Sequence, residues 1–425
     1  MEKVRLGILG MGTVASGLAN IIEMNRTKII NTLNKELIIN KVLVNNLDKK
    51  RNVNLPKEVY TKDAYEVIND KDAEIIVELI GGINPAYEYI KAALNNKKHV
   101  VTANKALIAT HGEELESIAA ENGVKLMYEA SVGGGIPILN TMRENLSANE
   151  FDSVFGIING TTNYILTQMT ENGWEYEEAV KEAQRLGFAE ADPSSDVEGD
   201  DAAYKLSILA ALAFGQRVKV GDIPKEGITK ISKDDIVNAK ELGYNIKLLA
   251  SGIKKDSKLE LRVHPAFVPV DHPLSMVKNE FNAVFLKGNA VGELMLYGKG
   301  AGAMPTGSAV LGDIMYVVKN MDKVDAISKS SPKYTVENKA IKKYYIRLTA
   351  HDKLGVLGRI ASLFGKNGVS LSSVVQRQKN GNDTVPLVFI THEAERKNID
   401  AALKEISSID VVTEINSIIL VEDFK

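Results

Sequence analysis

The chain has 425 residues, too many for one ordinary core and enough for about three domains. With 44 % hydrophobic and 25 % charged residues and a net charge of -3, its composition is that of a soluble globular protein. Nothing in it draws the chain to nucleic acid or an anionic membrane. It has no cysteine, which excludes disulfides, thiolate metal sites and a cysteine nucleophile. No apolar run approaches the roughly 20 residues that span a bilayer, and MEKVRLGILGMG reads as a strand and not as a signal peptide, so a cytoplasmic enzyme is expected.

Val4–Gly10 (VRLGILG) predicts the first strand, and a helical pattern follows through Ile22. Between them lies Gly10-Met11-Gly12-Thr13-Val14-Ala15, the G-x-G-x-x-A form of a dinucleotide-binding turn. Glycines allow the tight turn, and the helix start offers free N–H groups to a pyrophosphate. Leu37–Val44, Ala73–Ile80, Lys98–Thr102 and Val124–Glu129 predict further strands with helices between them. Such alternation implies α/β architecture with a doubly wound parallel sheet, whose ligands sit beyond the carboxyl ends of the strands. Gly81–Pro85, Ala103-Asn104-Lys105 and Ala130–Gly135 fall there, which places Lys105 near the nicotinamide end. The tip of the second strand reads Asn45-Asn46-Leu47-Asp48-Lys49-Lys50-Arg51. It lacks the acid that would grip a ribose 2′-hydroxyl. The three cations either meet a 2′-phosphate or form a solvated loop, so the choice between NAD and NADP stays open.

Residues 136–300 leave this rhythm and read as an α+β substrate domain, with strands at Phe151–Ile158 and Glu260–Val268 and helices around 174–186 and 196–214. Within it, GFAEADPSSDVEGDDAAYKL gathers Glu190, Asp192, Asp196, Glu198, Asp200 and Asp201 before Lys205. Ser195 and Glu198 have the spacing of a capping box, predicting one helix from Asp196 to Phe214. On it Lys205 shares a face with Asp201 at i−4 and with Ile208, Leu209 and Leu212. An ordinary Asp–Lys pair belongs on a wet face. This one borders apolar residues, where a desolvated lysine serves as a proton donor near neutral pH. Carboxylates nearby suit the ammonium group of an amino-acid substrate, although six exceed what a substrate needs.

Charge, Ser and Pro rise over residues 321–343, which read as a linker. Beyond it, Tyr344–Thr349, Val369–Arg377, Thr384–Thr391 and Val411–Val421 predict strands, and Leu354–Asn367 and Ala394–Ser407 helices, with Asn367-Gly368 as a helix-ending turn.

Taken together, GILGMGTVASGL, VELIGGINPA, HVVTANKALIA, YEASVGGGIPI, GIINGTTNYIL, GFAEADPSSDVEGDDAAYKL and YGKGAGAMPTGSAV resemble homoserine dehydrogenase over about the first 320 residues, and the βαββαβ tail resembles an ACT domain. The resemblance implies a Rossmann-type nucleotide domain (1–135, completed by about 301–320), a substrate and dimerisation domain (136–300) and a regulatory domain (344–425). It implies interconversion of L-aspartate 4-semialdehyde and L-homoserine with NADP or NAD, in threonine and methionine biosynthesis. Carried across, Gly10, Gly12, Thr13 and Val14 would contact the dinucleotide, with Gly187 and Gly302 near the nicotinamide. Lys105 would lie between cofactor and substrate, Glu190 and Asp201 would hold the amino-acid part, and Lys205 would be the proton donor. Glu129, Val132, Gly134 and Ile136 would surround a monovalent cation, sodium, largely through backbone oxygens. The helix after Pro305 would pack back on the nucleotide domain. A homodimer or homotetramer, threonine as effector, and neither nucleic acid nor membrane as partner complete the expectation. Asn45 departs from the family, where many members have an arginine thought to favour NADP.

The phosphorylating dehydrogenase that makes aspartate semialdehyde needs a cysteine and is excluded, and a chain starting at the nucleotide fold is expected to carry no fused aspartate kinase. Another amino-acid dehydrogenase on the same scaffold stays open. So does a dinucleotide-binding sensor without turnover, against which Lys105 and Lys205 together argue.

Overall fold

The computed structural model describes residues 1–323, 334–337, 341–376 and 383–424. In chain order it opens with β1 (Glu2–Leu9), α1 (Thr13–Met24), α2 (Arg26–Leu33), β2 (Lys35–Leu43), β3 (Tyr60–Thr61), α3 (Ala64–Ile68) and β4 (Ala73–Glu78). Then come α4 (Ala86–Asn95), β5 (His99–Thr102), α5 (Lys105–Glu121), β6 (Leu126–Met127), α6 (Ile138–Asn140) and β7 (Phe151–Ile157). The middle holds α7 (Gly160–Asn172), α8 (Tyr176–Arg185), α9 (Ser194–Val197), α10 (Asp200–Phe214), α11 (Lys233–Glu241), β8 (Tyr244–Lys255), β9 (Lys258–Pro269), β10 (Phe281–Gly288), β11 (Gly292–Lys299) and α12 (Ala303–Lys319). The tail holds β12 (Thr335–Val336), β13 (Ile341–His351), α13 (Val356–Lys366), β14 (Leu371–Gln376), β15 (Thr384–Thr391), β16 (Ala394–Glu395), α14 (Arg396–Ile406) and β17 (Val412–Val421).

The chain divides into two compact units. One comprises Met1–Gly160, Asp201–Ile223 and Phe281–Tyr334. Its first sheet is parallel in the order β3-β2-β1-β4-β5-β6, the doubly wound arrangement in which the order reverses beside β1. The second half of β1 and nearly all of β4 are buried, because helices cover both faces of such a sheet. Val4, Leu6, Ile8, Ile75 and Val77 form the core with Leu18 of α1 and Val310 and Ile314 of α12. The two helices touch backbone to backbone: a Cβ on Gly17 would run into the Ala303 carbonyl, and one on Gly307 into the start of Leu18. α12 starts at Ala303, two residues before Pro305, and packs on the same core as α1. The same unit holds the antiparallel strands β7, β10 and β11.

The other unit comprises Thr161–Asp200, Pro224–Glu280 and Thr335–Lys425. Its sheet runs β8-β9-β17-β13-β15-β14. The tail forms the expected βαββαβ pattern around a core of Ile346, Leu348, Ile360, Phe364, Phe389, Ile399 and Leu403, with a two-residue strand, β16, before its second helix. Asn367 caps α13 and Gly368 follows at φ +72, as the turn residues predict. Most of the expected linker, and Arg377, lie outside the described residues.

One expectation needs correction. The single helix Asp196–Phe214 is two pieces, α9 and α10, parted at Gly199, whose φ of +88 ends a right-handed helix. Ser195 caps neither; Pro193 precedes α9 and makes no side-chain cap, whereas Ser194 is held by Asp192 two residues earlier. A capping box does occur, between Ser232 and Asp235 at the start of α11.

Candidate active site

The dinucleotide turn is built as its glycines require. Gly10 has φ +96 and lies against Leu79 and Ile80, which a Cβ would crowd. Gly12 is the N-cap of α1 and makes no side-chain cap, and a Cβ there would meet nothing within 4 Å. Thr13 and Val14 form the first turn of the helix. The space beside Gly12 is open at the positive end of a helix dipole, which fits a pyrophosphate. At the tip of β2, Arg51 folds back on its own loop. It donates to the carbonyls of Asn46 (2.7 Å) and Lys49 (2.9 Å) and lies 5.0 Å from the Tyr60 ring centroid.

The carboxyl ends of β4 and β5 are wired together. Glu78, fully buried, accepts from the N–H groups of Ile80 and Gly81 and from the Thr102 hydroxyl. Asn104 caps α5 by accepting from Leu107 N–H, and its amide donates to the Gly82 carbonyl. Lys105 is the first residue of α5.

Lys105 reaches Asp201, its Nζ 2.5 Å from Oδ1. On the other oxygen, Asp201 Oδ2 accepts from Lys205 Nζ at 2.7 Å and from Asn159 Nδ2 at 2.8 Å. Lys205 also donates to the Ile158 carbonyl at 2.7 Å. Lys205 is 9 % exposed and Asp201 3 %, so the i, i+4 pair read from the sequence lies on the buried side of α10 and not on a wet face. Burial by itself would raise the Asp201 carboxyl, but Lys205 and Lys105 outweigh it and hold the group well below the usual carboxylate range. The cluster is two ammonium groups on one carboxylate, with Lys105 the more exposed arm. It carries net positive charge in a largely dry setting, where a developing oxyanion is stabilised.

Glu129, Val132, Gly134 and Ile136 form one tight turn. Gly133 and Gly134 have φ +71 and +53, and a Cβ on Gly134 would strike the Gly300–Ala301 backbone. Both Glu129 oxygens accept backbone N–H groups, from Leu139 and Asn140. Asp313 of α12 accepts from Glu129 N–H and from the Asn140 amide. Burial pushes the Glu129 carboxyl up to about 7, with Asp313 adding to the rise; the backbone hydrogen bonds and Arg143 oppose it. Burial likewise raises Asp313 to about 6, against its two hydrogen bonds and Arg143. Gly302, with φ +120, caps α12 beside this turn.

Of the six acids in the acidic stretch, Asp201 is the buried one. Asp200 pairs with Lys225. Glu190 is exposed, and Gly187, at φ +78, ends the turn after α8; both belong to the second unit. Sequence reasoning passed over Glu78, Thr102, Asn159 and Asp313, and it placed Asn104 at the ligand end without a role. For Glu78 a signal existed: an acid closing the apolar run of β4. Asn159 offered none, since its role depends on β7 ending beside α10.

The chain is similar to known proteins over its whole length. Residues 10–129 match the family described as homoserine dehydrogenase, NAD binding domain, residues 137–315 that described as homoserine dehydrogenase, and residues 344–411 the ACT domain. A homoserine dehydrogenase of Bacillus subtilis (strain 168) is 45 % identical over 428 residues, covering 99 % of each chain. The crystal structure of a homoserine dehydrogenase from Thiobacillus denitrificans superposes with a TM-score of 0.92 at 38 % identity, over 100 % of this chain and 99 % of that one. A hyperthermophilic archaeal homoserine dehydrogenase in complex with NADPH covers 76 % of this chain and 100 % of its own, with a TM-score of 0.65 at 29 % identity.

Proposed function

The chain belongs to the homoserine dehydrogenase family, and from that premise we infer the chemistry of its lysine cluster. It is an NAD(P)-dependent oxidoreductase that acts on the alcohol group of homoserine, interconverting L-homoserine and L-aspartate 4-semialdehyde. When bound, the nicotinamide supplies the hydride to the aldehyde carbon. Lys205 hands a proton from Nζ to the carbonyl oxygen as it becomes an alkoxide, and solvent restores the proton. In the other direction Lys205 accepts it. Lys105 adds positive charge beside the same oxygen. Asp201 holds both ammonium groups. The observation that carries this reading is the single carboxylate of Asp201 clasping two lysines from different elements, 2.5 and 2.7 Å away.

Gly10, Gly12, Thr13 and Val14 hold the pyrophosphate in this reading, and Gly302 lies near the nicotinamide. Residues 1–135 with 301–320 serve the dinucleotide, 136–300 the substrate and the homodimer or homotetramer, and 344–425 regulation. A monovalent cation, sodium, suits the turn of Glu129, Val132, Gly134 and Ile136: the donors are oxygens, which hard cations prefer, and Glu129 and Asp313 are two buried acids that burial holds toward the neutral form and that a bound cation would ionise. The tail takes an amino-acid effector, threonine. Among the described residues no helix is long and apolar enough to cross a membrane, and a cytoplasmic location accords with that. Initial rates with homoserine and NAD or NADP, with and without threonine, test the reading. Cofactor reduction that homoserine alone elicits supports it, and binding of homoserine with no absorbance change overturns it in favour of a sensor.

A further inference from the structure

We propose that Glu78 is a positioning residue for this reaction, an acceptor-only hub that aims Lys105 by locking the ends of β4 and β5 to each other. The inference rests on the assignment of Lys105 to the active site.

Three donors converge on a side chain sealed from solvent. Glu78 Oε1 accepts from Ile80 N–H (2.8 Å) and Gly81 N–H (3.1 Å), which fixes the turn leaving β4. Oε2 accepts from the Thr102 hydroxyl at 2.6 Å. That hydroxyl has one proton, and its oxygen accepts Asn104 N–H at 3.0 Å, so the proton must point at Glu78. Asn104 then ties the loop back to the β4 turn through the Gly82 carbonyl, 2.5 Å away, and caps the helix at Leu107 N–H, 3.2 Å away. Lys105 is the next residue. Its backbone direction is set by this closed ring, while Asp201 holds its far end.

Only a carboxylate closes the ring. Glutamine has one acceptor oxygen and one donor nitrogen. With the nitrogen toward Thr102, two donors oppose each other unless the hydroxyl turns its proton away, and that proton then loses the acceptor it had in Glu78. With the nitrogen toward the β4 turn, it faces the N–H groups of Ile80 and Gly81. In either orientation a buried donor is left unmatched, and the two strand ends move apart.

The test is Glu78→Gln in the full-length enzyme, made in the wild type and in a Lys105→Ala background. Turnover in the wild type is expected to fall about 10- to 100-fold, the size of a small misplacement of a reacting group. The dissociation constant for NADPH, read by its own fluorescence, stays within about threefold, and in the Lys105→Ala background the same change costs less than about twofold, as expected for residues acting as a unit. Thr102→Val, which removes the hydroxyl and keeps the shape, is expected to show the same dependence on Lys105 with a smaller loss, and it carries the test if Glu78→Gln does not fold. Turnover within twofold of wild type, an equal loss in both backgrounds, or a loss confined to NADPH binding overturns the proposal. Near-normal turnover of Lys105→Ala alone would remove the active-site assignment, and the inference with it, so the two failures are told apart.

Discussion

Asp201 and Glu129 are both carboxylates almost closed off from water, 3 % exposed each, within the same compact unit. Burial is the largest influence on both, and it pushes both upward. The outcomes are opposite. Two ammonium groups face Asp201 and hold it ionised far below its usual range. Glu129 meets backbone N–H groups and a second acid, Asp313, and stays near 7. Desolvation acts on every sealed carboxylate; the partners decide whether it ends as a fixed anion or as an acid poised near neutrality.

The largest test of this contrast removes a cation from the Asp201 side. Lys205→Ala is expected to lower turnover by about 10²–10⁴-fold, the range for a lost general acid, with circular dichroism unchanged. Near-normal turnover would leave the cluster a structural ion pair. The next removes the anion. Asp201→Asn takes the counter-charge from buried Lys205, and breaking a buried pair costs about 3–5 kcal/mol. The lower end is expected in urea unfolding, because Lys105 is 42 % exposed and finds water. A loss under about 1 kcal/mol would show that water reaches the cluster freely.

The smallest effect probes the other acid pair. Glu129 and Asp313 have folded values above their unfolded ones, so between the ordinary carboxylate range and about pH 7 the folded state binds more protons than the unfolded chain. Stability from these groups is therefore full below the ordinary carboxylate range and is lost as pH rises from there to about 6–7. Asp201 runs the other way: its contribution is present above the ordinary aspartate value and lost only as pH drops below it. A cation in the Glu129 turn would offset the loss at high pH. Replacing tetramethylammonium chloride by sodium chloride is expected to raise the melting temperature by about 2 °C at pH 8, equivalent to roughly 1 kcal/mol, and by less at pH 5.5. An equal shift at both pH values would separate sodium from these carboxyls.

Much of this was readable before any coordinates. Strand–helix alternation and the turn at Gly10-Met11-Gly12 announced the parallel sheet, because periodicity and glycine geometry are local properties. The pairing of Lys205 with Asp201 followed from i, i+4 spacing, and the neighbours at Ile208 and Leu209 pointed to a buried face. The capping box misled, because Ser195 and Glu198 have the right spacing while Pro193 and Gly199, whose φ is +88, cut the helix on either side.

The sequence by itself determined the class of fold, the site of the dinucleotide turn and the burial of one lysine beside one aspartate, since each depends on residues only a few positions apart. Tertiary structure alone decided that Lys105, nearly 100 residues away, grips the same carboxylate, that Asn159 supports it, and that Glu78 ties two strand ends. Those contacts join elements that meet only when the sheet assembles, and hydrogen bonds of 2.5–2.8 Å across it leave no trace in local pattern.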